Sequence, residues 1–302
     1  MNDSWQATHL AALDARLEWA WAQPDGTLRD LQTPLHHIRI VKHAGQIHFY
    51  FVDDADGTLH GPMSRIDINR PLHLLAEYTQ SAMLALLWRP EPARVCLLGL
   101  AGGRLTLLFY HYFPQTIIHN IDIDLAVGEI AATCFGVTFD ERNTLAIQDA
   151  RAFLEAGGPP YDIVIMDAFR DSSDNLDHLA TREFYETCKR RMVRGGVLCA
   201  NLLKSDALFY EKIKTFEASF RHVFVDELKH GIVLFGNDHT RFTRDDLIRR
   251  ADALQHAHHF DMPFVERAGA LRAARAVPAY SRAALQSIQV LTDNLSPGKE
   301  QP

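Results

Sequence analysis

Cysteine is scarce in this chain, and what there is of it is not arranged for chemistry. Cys96, Cys134, Cys188 and Cys199 lie far apart, without CxxC or other metal spacing, so neither a zinc site nor a disulfide framework is predicted. Cys96 and Cys199 fall in apolar, strand-like runs and are expected to be buried reduced thiols. Long apolar runs are missing as well: none approaches the ~18 residues of a membrane span, and no membrane partner is expected. A basic surplus is also absent. With 31 Lys and Arg against 38 Asp and Glu, the formal net charge is −7, and no basic stripe compensates for it, which argues against nucleic-acid binding. Residues 1–18 carry acids instead of a basic region followed by a hydrophobic core, so no signal peptide is expected and a cytoplasmic location is. Histidine is plentiful, with 16 residues including the pairs His36-His37 and His258-His259. None shows HExxH or a similar spacing, so no metal is expected and most read as surface or packing residues.

The pattern of apolar and turn residues divides the 302 residues into three sections. In residues 1–68, apolar periodicity predicts a helix from Trp5 to Trp21, stopped by Pro24, Asp25 and Gly26. Strands follow at Ile38 to Lys42 and Gln46 to Val52, joined at Ala44-Gly45, with a third at Leu59 to Ile68; together they predict a small antiparallel sheet. Residues 69–240 alternate helix and strand. A helix is predicted from Leu72 to Leu87, ending before Pro90. Strands are predicted at Arg94 to Leu98, Ile117 to Ile123, Thr144 to Ile147, Ile163 to Met166 and Gly196 to Asn201. That alternation implies an α/β, doubly wound parallel sheet of Rossmann-like type, closed by an antiparallel pair at His222 to Leu228 and Gly231 to Gly236. Residues 241–302 read as a helical extension with a frayed tail from Leu295.

The most informative stretch runs from Val95 through Gly99-Leu100-Ala101-Gly102-Gly103-Arg104. A buried strand requires the apolar run, and a turn that lets a ligand approach the backbone requires the glycines. The helix expected after it, from Leu105 to Tyr112, would point its first amides at that ligand. Asp122, Asp124, Asp149 and Asp167 each close or follow a further apolar run, so all should gather at the carboxyl edge of one sheet, where open α/β sheets bind nucleosides. The loop lacks the second glycine of GxGxxG and has Arg104 in place of the third. It fits the looser loop of a class I S-adenosylmethionine fold better than a dinucleotide fold, although either would use Asp122 for ribose hydroxyls.

Read as a series, the motifs are more specific. Glu77-Tyr78-Thr79-Gln80-Ser81, the glycine loop, Ile121-Asp122-Ile123-Asp124, Gln148-Asp149-Ala150-Arg151, Tyr161 to Phe169, Leu179 to Tyr185 and Gly195-Gly196-Val197-Leu198 follow in order. In that order and spacing they resemble the spermidine synthase-like branch of the polyamine aminopropyltransferases, over roughly residues 36–240. The resemblance implies a class I methyltransferase-type domain behind a small β domain. It also implies S-adenosylmethionine or its decarboxylated form as co-substrate, a small-molecule amine acceptor, a role in polyamine biosynthesis and a homodimer. By resemblance, Gly99, Leu100, Ala101, Gly102 and Gly103 form the cofactor loop, and Asp122 with Ile123 holds the ribose. Asp149 accepts from the adenine amino group with Ala150 beside the ring; as a residue, Asp149 also reads as a helix N-cap. Asp167 binds and deprotonates the attacking amine, and Tyr78 stands near the acceptor or in the core.

Departures from the family pattern bear on the chemistry. Asp171-Ser172-Ser173-Asp174 repeats a family motif, but here the strand ends earlier, at Asp167; aligned by strand, Arg170 takes the place of the second family acid. Gly102 stands where the family has an aspartate that meets the amino end of the decarboxylated donor, and with Arg104 nearby that change lifts the discrimination against a carboxylate. Met63, just before Ser64, replaces a glutamine of the family's gatekeeping region. These changes count against a doubly charged diamine acceptor. The expectation is a transferase that moves an alkyl group, aminopropyl or methyl, from a sulfonium donor to an amine, with Asp167 as base. The alternatives are a non-catalytic nucleoside-binding homologue and, less favoured by the loop, an NAD-linked oxidoreductase.

Overall fold

The computed structural model describes residues 2–169 and 176–294; Arg170 and the Asp171 to Asp174 string lie outside the described residues. The chain opens with α1 (Asn2–Trp21) and a four-stranded antiparallel sheet in sequential order, β1 (Gly26–Gln32), β2 (His37–His43), β3 (Gln46–Val52) and β4 (Leu59–Asp67). β3 alternates as far as Phe49, where its pairing with β4 shifts and leaves Phe51 half-buried. Ile47 and Phe49 point inward, where they join Ile38, Ile40 and Ile66 against Leu13 and Leu17 of α1 and against α4 (Leu125–Phe135). The first strand carries no such pattern. Except for Leu28 its residues are exposed, and its register shifts between Thr27 and Arg29, so an edge strand formed without an apolar face for the sequence to reveal.

The helix predicted from Leu72 to Leu87 is shorter than expected. Only α2 (Glu77–Ala82) is α-helical, followed by a 3-10 turn over Met83–Leu87, and Ala76 is extended. Side chains explain the difference. The carbonyls of Pro71 and His73 accept from Arg104 Nη2, that of Leu75 from Arg65 Nη2 and that of Leu74 from Gln80 Nε2, which satisfies acceptors that a helix would otherwise have to satisfy.

The main sheet has eight strands. β5 (Arg94–Leu98), β6 (Ile117–Asp122), β7 (Asn143–Ile147), β8 (Tyr161–Met166) and β9 (Met192–Leu203) are parallel. β10 (His222–Glu227), β11 (Gly231–Asn237) and the two-residue β12 (Arg272–Ala273) add antiparallel, in the order β12-β10-β11-β9-β8-β5-β6-β7. The sheet is therefore mixed, and the predicted closing pair is part of it. Its central strands are buried on both faces. Val95, Leu97, Ile163 and Ile165 face one core, which includes the Met83–Leu87 turn and residues of α8 (Arg244–His258) and α9 (Phe264–Ala270). Cys96, Leu98, Val164 and Met166 face another, with α6 (Arg182–Arg190) and α7 (Phe209–Ser219). All four cysteines are free and buried. Among the described residues no helix is long and apolar enough to cross a membrane.

Candidate active site

Strand order reverses between β5 and β8, so the connections leaving their carboxyl ends diverge and open a crevice between them. The ends of these strands are tied together. Gly99 N donates to Ile121 O at 2.8 Å, and Asp167 N donates to Leu98 O at 2.9 Å. Gly99 has φ +93°, and a Cβ there would lie 2.4 Å from the Asp167 carbonyl oxygen, so the closeness of loop and strand end requires glycine. The loop then enters α3 (Arg104–Tyr112) through Gly103, which is left-handed at φ 62°.

A cavity of about 840 Å³ lies above these ends. Gly99, Leu100, Ala101, Asp122 and Ile123 line one side, and Asp149, Ala150 and Asp167 continue the wall. The small sheet and the segment after it add Met63 and Tyr78. The remaining predicted residues sit elsewhere. A Cβ on Gly102 would lie 2.5 Å from Ser64 Oγ and 2.7 Å from the Phe135 ring, and one on Gly103 would lie 2.6 Å from Val137. Both glycines and Ser64 therefore pack behind the loop, away from the main cavity.

The three acids differ in how they are held. Asp122 ends β6; its Oδ2 accepts from Leu100 N and its Oδ1 from Asp124 N, each at 3.0 Å. Burial raises its pKa, and the two backbone amides partly offset that. Each oxygen keeps a lone pair for a ligand hydroxyl. Asp149 caps α5 (Ala150–Glu155), accepting from Ala152 N at 2.8 Å through Oδ1, while Oδ2 meets His178 Nε2 at 2.8 Å. Burial acts to raise its pKa, but the Ala152 and His178 contacts prevail and lower it. Asp167 receives a hydrogen bond from Asn201 Nδ2 at 2.9 Å, the one bond to its carboxylate among the described residues. Burial pushes its pKa up to about 7, against the pull of that bond. Such a carboxyl exchanges protons near neutrality.

Tyr78 lines the same cavity, and its hydroxyl donates to Met63 O at 3.2 Å. Burial, and then the charge of Asp167, raise the Tyr78 pKa well above its ordinary value, so the phenol stays neutral. Besides His178 at Asp149, four contributors were not foreseen. His36 lines the cavity, stacks on Phe51 with ring centroids 4.4 Å apart and meets Asp124 Oδ2 at 3.0 Å. Arg65 and Glu77 bring one charge of each sign to the wall, and Asn201 orients Asp167. Of these, only Asn201 left a sequence signal, a polar residue closing a strand beside that of Asp167. Among the described residues, no group of three His, Cys, Asp or Glu side chains could hold a metal ion.

A family model described as the spermine/spermidine synthase domain matches residues 81–235, about half of the chain. The chain belongs to that family. This synthase-family chain is 28% identical over 146 residues to the polyamine aminopropyltransferase of Vibrio vulnificus (strain CMCP6), a match that takes in 47% of this chain and 48% of that protein. It is 27% identical over 196 residues to the eEF1A lysine and N-terminal methyltransferase of Bos taurus, 58% of this chain and 28% of that protein. The chain thus spans less than two thirds of either relative; both are transferases. Among solved structures, a probable spermidine synthase from Corynebacterium glutamicum matches with a TM-score of 0.69 at 20% identity, over 93% of this chain and 100% of that one. Human methyltransferase-like protein 13 in complex with SAH matches with a TM-score of 0.57 at 22% identity, over 61% and 93% respectively. Likeness at these identities establishes the fold, the expected methyltransferase-type domain behind a small β-sheet, and leaves function to the site.

Proposed function

We propose that this chain transfers an alkyl group from an S-adenosylmethionine-type sulfonium to a small-molecule amine, with Asp167 as the base. One observation carries the reading: Asp122, Asp149 and Asp167, far apart in sequence, line a single cavity in which burial holds the last near neutrality. In this reading Asp122 takes the ribose hydroxyls and Asp149 the adenine amino group above Ala150. The Gly99 to Ala101 backbone lies along the donor. Asp167 and Glu77 hold the ammonium form of the acceptor, and Tyr78 with Met63 forms the apolar wall beside it. Asp167 removes the proton; the nitrogen lone pair attacks the carbon bound to sulfur; the carbon–sulfur bond breaks and its electrons neutralise the sulfonium. Because the donor brings its own electrophile, the protein's part is alignment and a single base.

The relatives' names support both aminopropyl and methyl transfer. The test is to give the purified protein each donor with a panel of amines and to detect products by mass. Wild type is expected to yield an alkylated amine, and Asp167→Asn to lower the rate by roughly 10²–10⁴-fold with methylthioadenosine binding retained. Nucleoside binding without product from any donor would mark a non-catalytic homologue instead. A homodimer is part of the same proposal, supported by the exposed Trp21, Leu31 and Leu59 of the N-terminal section; a monomer in sedimentation at micromolar concentration would remove it.

A further inference from the structure

Behind the glycine loop, a buried cation lacks a counterion. Arg104, the first residue of α3, is 5% exposed. Its Nη2 donates to the Pro71 and His73 carbonyls, while Nε and Nη1 have no hydrogen-bond partner, and it forms no ion pair among the described residues. Leaving charged donors unsatisfied in the interior is unfavourable unless a ligand or water completes them. These donors border a recess of about 20 Å³ whose wall includes Ser64, Tyr78, Gly99, Ala101 and Asp167. Tyr78, Gly99, Ala101 and Asp167 also line the main cavity, so the recess lies directly behind the place where a donor would rest. A space of that size holds about one oxygen-sized group.

The same corner has no room for an acid on the loop. A side chain at residue 102 would press on Ser64 Oγ and Phe135, so the loop offers the donor tail a guanidinium and no carboxylate of its own. Burial drags the Arg104 pKa down to about 9, which reflects how poorly the surroundings satisfy its charge.

We infer that Arg104 receives the α-carboxylate of the donor, so that the donor used is S-adenosylmethionine with its carboxylate intact. One carboxylate oxygen enters the recess toward Nε and Nη1, and the other stays at the cavity wall. A tail gripped at this end and an adenosine gripped at the other leave the sulfonium methyl as the group free to be handed on. This inference rests on the nucleoside-binding reading above and refines its donor.

Calorimetry on the full chain with S-adenosylhomocysteine, its decarboxylated form and methylthioadenosine tests it. Wild type is expected to bind S-adenosylhomocysteine about ten- to a hundredfold more tightly than the decarboxylated compound, as befits a charge-assisted bond in a buried site. Arg104→Met should erase that preference and leave methylthioadenosine affinity unchanged, and Arg104→Lys should restore part of it. Equal wild-type affinities, with methylthioadenosine still bound, would overturn the carboxylate assignment alone, with no need of a variant. Preference persisting in Arg104→Met would overturn it as well. If wild type binds none of the three compounds, the nucleoside reading itself falls and takes this inference with it.

Discussion

Asp167 shows how burial can set a residue's chemistry at the expense of the fold. Its carboxyl is held near 7, whereas an unfolded chain would leave it near 3.8. Between those values the folded state binds the proton more tightly, so this group's contribution to stability falls as pH rises and levels off above about 7. Asp167→Asn removes the penalty. The variant should therefore match wild type near pH 4 and exceed it at pH 8 by up to about 4 kcal/mol in urea unfolding. A gain of equal size at both pH values would refute the assignment. Activity should move the opposite way, with kcat/KM of wild type rising through pH 7 as the base ionises. That Asp122, Asp149 and Asp167 gather at one cavity was legible because each ends or follows an apolar run. His36 and His178 were not, since a histidine without metal spacing looks like any surface residue until tertiary folding brings Asp124 or Asp149 to it.

At the level of elements, α1 docks through a contact that acid should break. His9 and His111, both 4% exposed, face each other Nδ1 to Nδ1 at 3.0 Å, beside Trp5, Tyr110 and Arg142. One ring donates and the other accepts, so the bond fails once both rings are protonated, and burial opposes protonating either. Burial lowers both pKa values to about 4, and for His9 the charges of His111, Arg16 and Arg142 add to the effect. Neutral docking is fully stabilising above pH 6.5 and is lost as pH falls from 6.5 to 4, with on the order of 3 kcal/mol at stake for each ring. Amide exchange across α1, corrected for intrinsic rates, should rise steeply between pH 7 and pH 5, and His9→Gln should flatten that rise; protection that ignores pH would count against the contact. The elements also mark where sequence reading stops. The central strands were found because β-branched and leucine runs bounded by turns leave few alternatives; β5 matches to the residue, whereas β9 extends from Met192 to Leu203 beyond the predicted Gly196 to Asn201. β1 and the 71–76 segment were missed, because a polar edge strand has no apolar period and arginines from distant elements claimed the carbonyls that local propensity assigned to a helix.

Across the whole molecule, the C-terminal section returns to the site. Asp293 takes Arg151 Nη1 and Nη2 at 2.7 and 2.5 Å and the Thr181 hydroxyl at 2.8 Å. Arg151 lies in the first turn of α5, two residues after Asp149, so Asp293 steadies the helix that Asp149 caps. Asp293→Ala should lower stability by about 1–3 kcal/mol and weaken methylthioadenosine binding; an unchanged urea midpoint would show the clasp to be ornamental. Residues 241–302 read as a helical extension from composition alone. Their bracing of the main sheet depends on pairings distant in sequence, Phe224 with Ala273 for β12 and Arg151 and Thr181 with Asp293, which no local pattern encodes.

The turn between β1 and β2 meets the main domain through the side chains of Thr33 and His36, both gripping Asp124 Oδ2 at 2.7 and 3.0 Å, while Leu35 and His36 edge the cavity mouth. Entrance and cavity floor are thus separately editable. Grafting a different turn that keeps Thr33 and His36 would recut the doorway and leave the wall of Asp122, Asp149 and Asp167 as it stands, a modular route by which one scaffold could come to admit new ligands.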